Sequence, residues 1–195
     1  RINGDLLALN ESKGKTMVLT NFGLGSPQMA GLAEELIAWG ARRLISISMA
    51  GGIHPSIKSG DVIVCNRTIR DEGTSYHYLP PAKFVDGDAE LAEQLRSNLE
   101  SGGVTAQLGT TWTTDATFRE TDVEVKQYQS EGVLTVEMET AALFAVAQVR
   151  GVLASSVFVA GDSLASGGWQ APTDMRKVDG VFDRVYDAVI ETLRG

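Results

Sequence analysis

The sequence holds one cysteine and two histidines among 195 residues, which excludes an intrachain disulfide and leaves no Cys/His cluster with metal-ligand spacing. Cys65 closes the apolar run Val62-Ile63-Val64-Cys65, where a thiol packs as a small hydrophobe. A reducing cytoplasm is the expected compartment, and no metal or other cofactor is expected. Basic residues are also scarce. Lys and Arg number 17 against 25 Asp and Glu, for a formal net charge of −8, and Arg42-Arg43 is only a pair at a helix end. Without a Lys/Arg-rich run, nucleic acid and anionic membrane surfaces are poor partners. No apolar run approaches the ~20 residues of a membrane-spanning helix. The opening Arg1-Ile2-Asn3-Gly4-Asp5 does not form a signal peptide, and there are no internal repeats and no charged linker.

What is present suits one domain over residues 1–195. Hydrophobic residues make up 43% of the chain, enough for a full-sized core. Strands are expected at 15–21, 44–49, 62–70, 104–112, 132–137 and 153–159. Between them, Ser26 and Pro27 read as the cap and first residue of a helix reaching Trp39. Further helices are expected at 88–99 and 122–130, with Leu79-Pro80-Pro81 opening a loop before the first of these. Val178, Val181, Phe182, Val185, Tyr186, Val189 and Leu193 recur at three- and four-residue spacing, the apolar stripe of a closing helix. Alternating strands and helices imply an α/β protein, a three-layer α/β/α sandwich around a mixed, mostly parallel sheet.

The most informative stretch is Val136-Glu137-Met138-Glu139-Thr140-Ala141-Ala142. Two carboxylates stand where an inner strand gives way to a helix too apolar to face water. Burying them is unfavourable unless hydrogen bonds or a ligand satisfy them, and the helix start offers N–H donors and a favourable dipole. One acid suffices for a cap. The second favours a polar ligand such as a sugar diol.

Glu-Met-Glu before Ala-Ala resembles the ribose-binding signature of the nucleoside phosphorylase and nucleosidase superfamily, of the uridine and hexameric purine nucleoside phosphorylase type. The resemblance runs from about Gly14 to the C-terminus through Gly23-Leu24-Gly25-Ser26-Pro27, Ala50-Gly51-Gly52-Ile53, Gly60-Asp61-Val62, Asp115 to Phe118, and Asp162. Gly23 to Gly25, Met49 to Gly52, Thr113 to Phe118, Glu137 to Glu139 and Asp162 all follow the last residues of expected strands, beyond which α/β sheets bind ligands. The family would already have completed a strand and a Gly/Arg phosphate loop before Arg1. The domain is therefore expected to lack both, through loss or because the chain is a fragment.

The resemblance implies cleavage of a nucleoside to free base and pentose, by phosphorolysis or by hydrolysis, in a homo-oligomer (dimer or hexamer). A catalytically weak nucleoside-binding protein is the rival from another class. Glu139 would accept hydrogen bonds from the ribose diol, with Met138 against the sugar. Ala50, Gly51, Phe118 and Glu137 would meet the base. Asp162 would direct its carboxyl at the departing base, although Gly161 stands where the family often has Ser. Each residue has a structural alternative: Phe118 as core, Gly51-Gly52 as a tight turn, Asp162 as a cap. His77, among tyrosines, reads as a loop or interface residue. Ser166-Gly167-Gly168-Trp169, just after Asp162, has the composition of a lid.

Base identity stays open. The Gln and Arg by which uridine phosphorylases read uracil are absent after Phe118, while the segment 70–81 resembles uridine phosphorylase-like proteins and AMP nucleosidases. Inorganic phosphate is the co-substrate that the resemblance implies. Yet Ser46 and Met49 occupy the positions where an Arg and a Ser or Thr commonly hold it, so weak phosphate binding is expected.

Overall fold

The computed structural model of the protein describes residues 5–11, 14–20, 23–172 and 175–194. Strands β1 (Asp5–Glu11) and β2 (Gly14–Thr20) pair antiparallel as a separate two-stranded sheet. After them come α1 (Ser26–Ala38), β3 (Arg43–Gly52), β4 (Val62–Asp71), β5 (Phe84–Asp86), α2 (Ala89–Ser101) and β6 (Ala106–Thr114). The chain continues through α3 (Asp122–Ser130), β7 (Val133–Glu137), α4 (Thr140–Arg150), β8 (Leu153–Ser163) and α5 (Met175–Arg194).

Six strands form one mixed sheet in the order β5-β4-β6-β7-β3-β8. Its longest ladders, β3 with β8 and β4 with β6, are parallel, whereas β3–β7 and β4–β5 are antiparallel. The sheet curls until β4 also pairs antiparallel with β8.

Alternation along the inner strands builds the layers. Ile63, Cys65, Phe158 and Ala160 pack with Met29 and Ala33 of α1 and with the apolar α4. Their neighbours Val62, Val64, Val157 and Val159 point the other way, onto Leu95 of α2 and Val181 and Val185 of α5. Successive side chains of a strand face opposite sides, so a strand apolar at every position needs a helical layer on each face. The result is the expected three-layer α/β/α sandwich. Cys65 is buried and free, and burial pushes its thiol pKa far up. None of the described helices is long and apolar enough to cross a membrane.

Local signals set several boundaries. Asp88 caps α2 by accepting from the Leu91 N–H at 2.7 Å, Thr121 and Glu124 form a capping box on α3, and Gly151 ends α4 in the left-handed conformation at φ 65°. Such caps satisfy helix-end groups that have no partner inside the helix.

Five features differ from the expectations, the first being β1, which the expected strands do not include. Ser26 is not the cap of α1, because Gly25 takes that position and the Ser26 hydroxyl instead donates to the Met138 carbonyl at 2.9 Å. Gly51 and Gly52 are not a turn. They extend β3, pairing with Val136 and Thr135 of β7. Strand β8 runs on to Ser163, since its ladder with β3 resumes at Gly52 and Ser163 past a register shift, and so Asp162 lies within the strand. The loop after Pro81 contains β5, held by pairing with β4.

Candidate active site

The ends of β3, β7 and β8 meet at Gly51. Its ladder partner is Val136, the residue before Glu137. A Cβ added to Gly51 would lie 3.1 Å from Val136 Cγ1 and 3.4 Å from Asp162 Oδ1. Glycine thus lets two acidic segments converge on one piece of backbone. Ala50 beside it is buried.

Glu137 is only 6% exposed. Its Oε2 accepts from the backbone N–H groups of Glu139 (2.9 Å) and Thr140 (2.8 Å) and from the Thr140 hydroxyl (2.9 Å). Oε1 accepts from Thr113 Oγ1 of β6 at 2.6 Å. Burial pushes the Glu137 pKa up to about 7, opposed by the Thr113 hydrogen bond and the α4 N–H groups and reinforced by the charge of Glu139. With both oxygens engaged by the protein, Glu137 has the geometry of a support beneath the site. That differs from the expected contact with the base.

Glu139 is half-buried. Its Oε1 accepts from the Gly25 N–H at 2.5 Å and its Oε2 from the Met138 N–H at 3.2 Å. Together with the Ser26 bond to the Met138 carbonyl, these contacts tie the Gly23–Gly25 turn to the start of α4. Two motifs 114 residues apart are thereby joined through one carboxylate, which keeps its remaining acceptor positions.

Asp162 is also half-buried, with Oδ2 accepting from the indole Nε1–H of Trp169 at 2.5 Å. The same carboxylate is coupled to Glu120, whose pKa is raised to about 7 by burial first and by the Asp162 charge second. Sequence pattern assigns Glu120 no role, and Trp169 one only as part of the lid-like segment 166–169. The available signal was position, two residues after Phe118 and seven after Asp162. Phe118 lies on a single 3-10 turn, Thr117–Arg119, and is fully exposed at 101%. It is not core.

Met49 accounts for Gly161. A Cβ at residue 161 would fall 2.5 Å from Met49 Sδ and 2.7 Å from its Cγ. The thioether thus covers the space a serine side chain would need, so the two departures from the family pattern are one packing event. Ser46 stays mid-strand opposite Ser156 and is not brought to this cluster. The segment 70–81 closes on itself. Arg70 donates to Ser75 Oγ (2.8 Å) and to the Pro80 carbonyl (2.8 Å), while Glu72 accepts from the Ser75 N–H (2.9 Å). Gly73 N–H reaches Asp115 at 2.9 Å. His77 is the exposed last residue of a short 3-10 turn whose first residue, Ser75, is buried. Among the described residues, no group of three or more His, Cys, Asp or Glu is placed to hold a metal ion.

Fold and site define a class, an α/β protein with an acidic, hydroxyl-supported site at the ends of its strands. Residues 2–191 match the profile of the Phosphorylase superfamily, and the chain belongs to that family. It is 30% identical over 162 residues to a DeoD-type purine nucleoside phosphorylase of Exiguobacterium sibiricum, covering 80% of this chain and 67% of that one. It is 29% identical over 161 residues to the uridine phosphorylase of Escherichia coli K12, covering 75% of this chain and 64% of the relative. The solved P knowlesi homolog of P falciparum PNP superimposes with a TM-score of 0.80 at 21% identity, over 97% of this chain and 76% of that one. That last likeness is one of fold.

Two outcomes are expected from this geometry. The folded protein holds the Glu137 proton more tightly than the unfolded chain, whose carboxyl titrates near 4.5. The group's contribution to stability therefore falls as pH rises from about 4.5 through about 7. Glu137→Gln should flatten that slope in melts taken between pH 5 and 8, and parallel slopes for the two proteins would contradict it. Gly161→Ser should destabilise by ~1 kcal/mol or less, because the side chain it meets is the exposed, flexible Met49 thioether, which can swing aside. Adding Met49→Thr should recover much of that loss, a coupling that urea unfolding of the two single variants and the double variant would read.

Proposed function

We propose that the protein cleaves the N-glycosidic bond of a nucleoside, releasing free base and pentose. The observation that supports this reading is that Gly51 pairs with Val136, the residue before Glu137-Met138-Glu139, and lies beside Asp162, so the segments that carry the diol acceptor and the base-directed acid of this reading adjoin one stretch of bare backbone. The family and the names of the relatives, purine nucleoside and uridine phosphorylases, support it. Cleavage breaks the bond between the anomeric carbon and the base nitrogen, with the electron pair leaving on the base. Glu139 holds the ribose hydroxyls, and its negative charge favours the positive charge that develops on the sugar. Met138 lies against the sugar. Asp162 meets the base, giving or sharing a proton as the bond breaks, and Phe118 offers an exposed ring to the base plane. A nucleophile then bonds to the anomeric carbon.

Phosphate is the nucleophile of the relatives' named reaction. A second reading, with water in that role, is favoured by Met49 lying over Gly161, since a thioether supplies none of the charge-assisted hydrogen bonds that hold a dianion. Incubating the protein with a panel of purine and pyrimidine nucleosides, with and without phosphate, and separating released bases by chromatography tests both readings. Release of base in phosphate alone identifies a phosphorylase. Release in both identifies a hydrolase, and binding with no release leaves a nucleoside-binding protein.

Two variants test the roles. Glu139→Ala should weaken ribonucleoside binding about ten- to a hundred-fold, the worth of hydrogen bonds to a charged group of ~1.5–3 kcal/mol, while 2′-deoxynucleosides lose less. Equal losses for both sugars in titration calorimetry would remove Glu139 from the diol. Asp162→Asn, similar in shape but unable to give a proton, should spare the affinity for purine nucleosides and slow their cleavage. Unchanged turnover would leave Asp162 a structural residue.

A further inference from the structure

The loop after β8 is built to deliver one side chain. Beyond Ser163 the chain turns through Leu164 and returns as Gln170, which exchanges backbone hydrogen bonds with Ser163 at 3.0 and 2.8 Å. Leu164 is buried with Ile53, Trp112 and Val136, and its N–H donates to the Gly52 carbonyl at 2.9 Å. Gln129 of α3 holds the Ala165 carbonyl at 3.2 Å, and Gln170 donates to Ser166 Oγ at 2.6 Å. Gly167 and Gly168 both have positive φ, 86° and 77°, a consecutive pair that only glycine adopts without strain. This composition reads as flexible, yet both ends of the loop are pinned.

The pinned loop brings Trp169 back onto Asp162. The ring remains 64% exposed, so packing does not account for its place, and its polar atom makes the contact. The indole N–H engages Oδ2 at 2.5 Å, while Oδ1 lies 3.4 Å from a Cβ position on Gly51. One oxygen is anchored to the loop and the other is turned over the backbone where the base is proposed to lie.

We infer that Trp169 is a positioning residue for Asp162, its indole N–H fixing the carboxylate so that the free oxygen faces the base of the bound nucleoside. This rests on the proposed nucleoside cleavage. A carboxylate on a short side chain rotates freely unless a second group holds it, and a reacting group held in register gains rate without gaining affinity. The indole is a donor only, so it pairs with the carboxylate and cannot exchange roles with it.

The test separates this inference from the reaction itself. In the intact protein, the 15N–1H indole resonance of Trp169, assigned by its loss in Trp169→Phe, should shift when Asp162→Asn is introduced, whether or not any nucleoside is cleaved. In kinetics on the best nucleoside of the panel, Trp169→Phe should lower kcat about ten-fold or more with KM within about two-fold. Trp169→His, which keeps a ring N–H donor, should recover part of the loss. An unshifted indole resonance, or a Trp169→Phe variant with unchanged kcat and an unchanged melting temperature, would overturn the inference. Were no nucleoside cleaved by the unaltered protein, the proposed function would fail while the resonance still decided the pairing.

Discussion

A buried carboxylate organises the molecule. Glu137 draws donors from β6 through Thr113 and from the first turn of α4 through Glu139 and Thr140, and the Thr140 hydroxyl lies 3.2 Å from Ser156 of β8. Thr113 in turn accepts from the Ala141 N–H at 3.1 Å and lies 2.8 Å from the Thr68 hydroxyl of β4. Burial disfavours the charged form of this carboxyl, and even a neutral buried polar group is costly unless it is hydrogen-bonded. Every strand and helix that reaches Glu137 must therefore keep its place. The same network sets the angle at which α4 leaves the sheet, and with it the position of Glu139.

Scarcity of space does the rest. Gly51 admits the Asp162 carboxylate beside its backbone, and Gly161 admits Met49 over its own. One small residue brings an acid into the site and the other brings an apolar thioether. A side chain at 51 would press on Val136 and Leu164, whereas one at 161 would meet the exposed, flexible side chain of Met49.

Strong periodicity and caps made most elements legible. The α5 stripe, the α3 span and the inner strands emerge from residue pattern because burial on a defined face is a local property. The acidic segment at 137–139 stood out for the same reason, as charges placed inside an apolar context. Less legible were the ends. The extension of β8 to Ser163, the strand identity of Gly51 and Gly52, and the short β5 all follow from pairing with partners far along the chain. A glycine pair reads as a turn until another strand claims it.

The sequence alone determined that this is an α/β sandwich with no disulfide framework, carrying two carboxylates at a strand-to-helix junction. Those conclusions depend on composition and near-neighbour spacing. Only the tertiary structure decided how the two acids divide: Glu137 is enclosed by protein donors, while Glu139 keeps acceptor positions beyond its bonds to Gly25 and Met138. It likewise decided that Phe118 stands in solvent, that Met49 answers Gly161, and that Trp169 and Glu120 attend Asp162. Each of those outcomes turns on distances between residues remote in sequence, and no periodicity within a single segment encodes which carboxylate the fold will enclose.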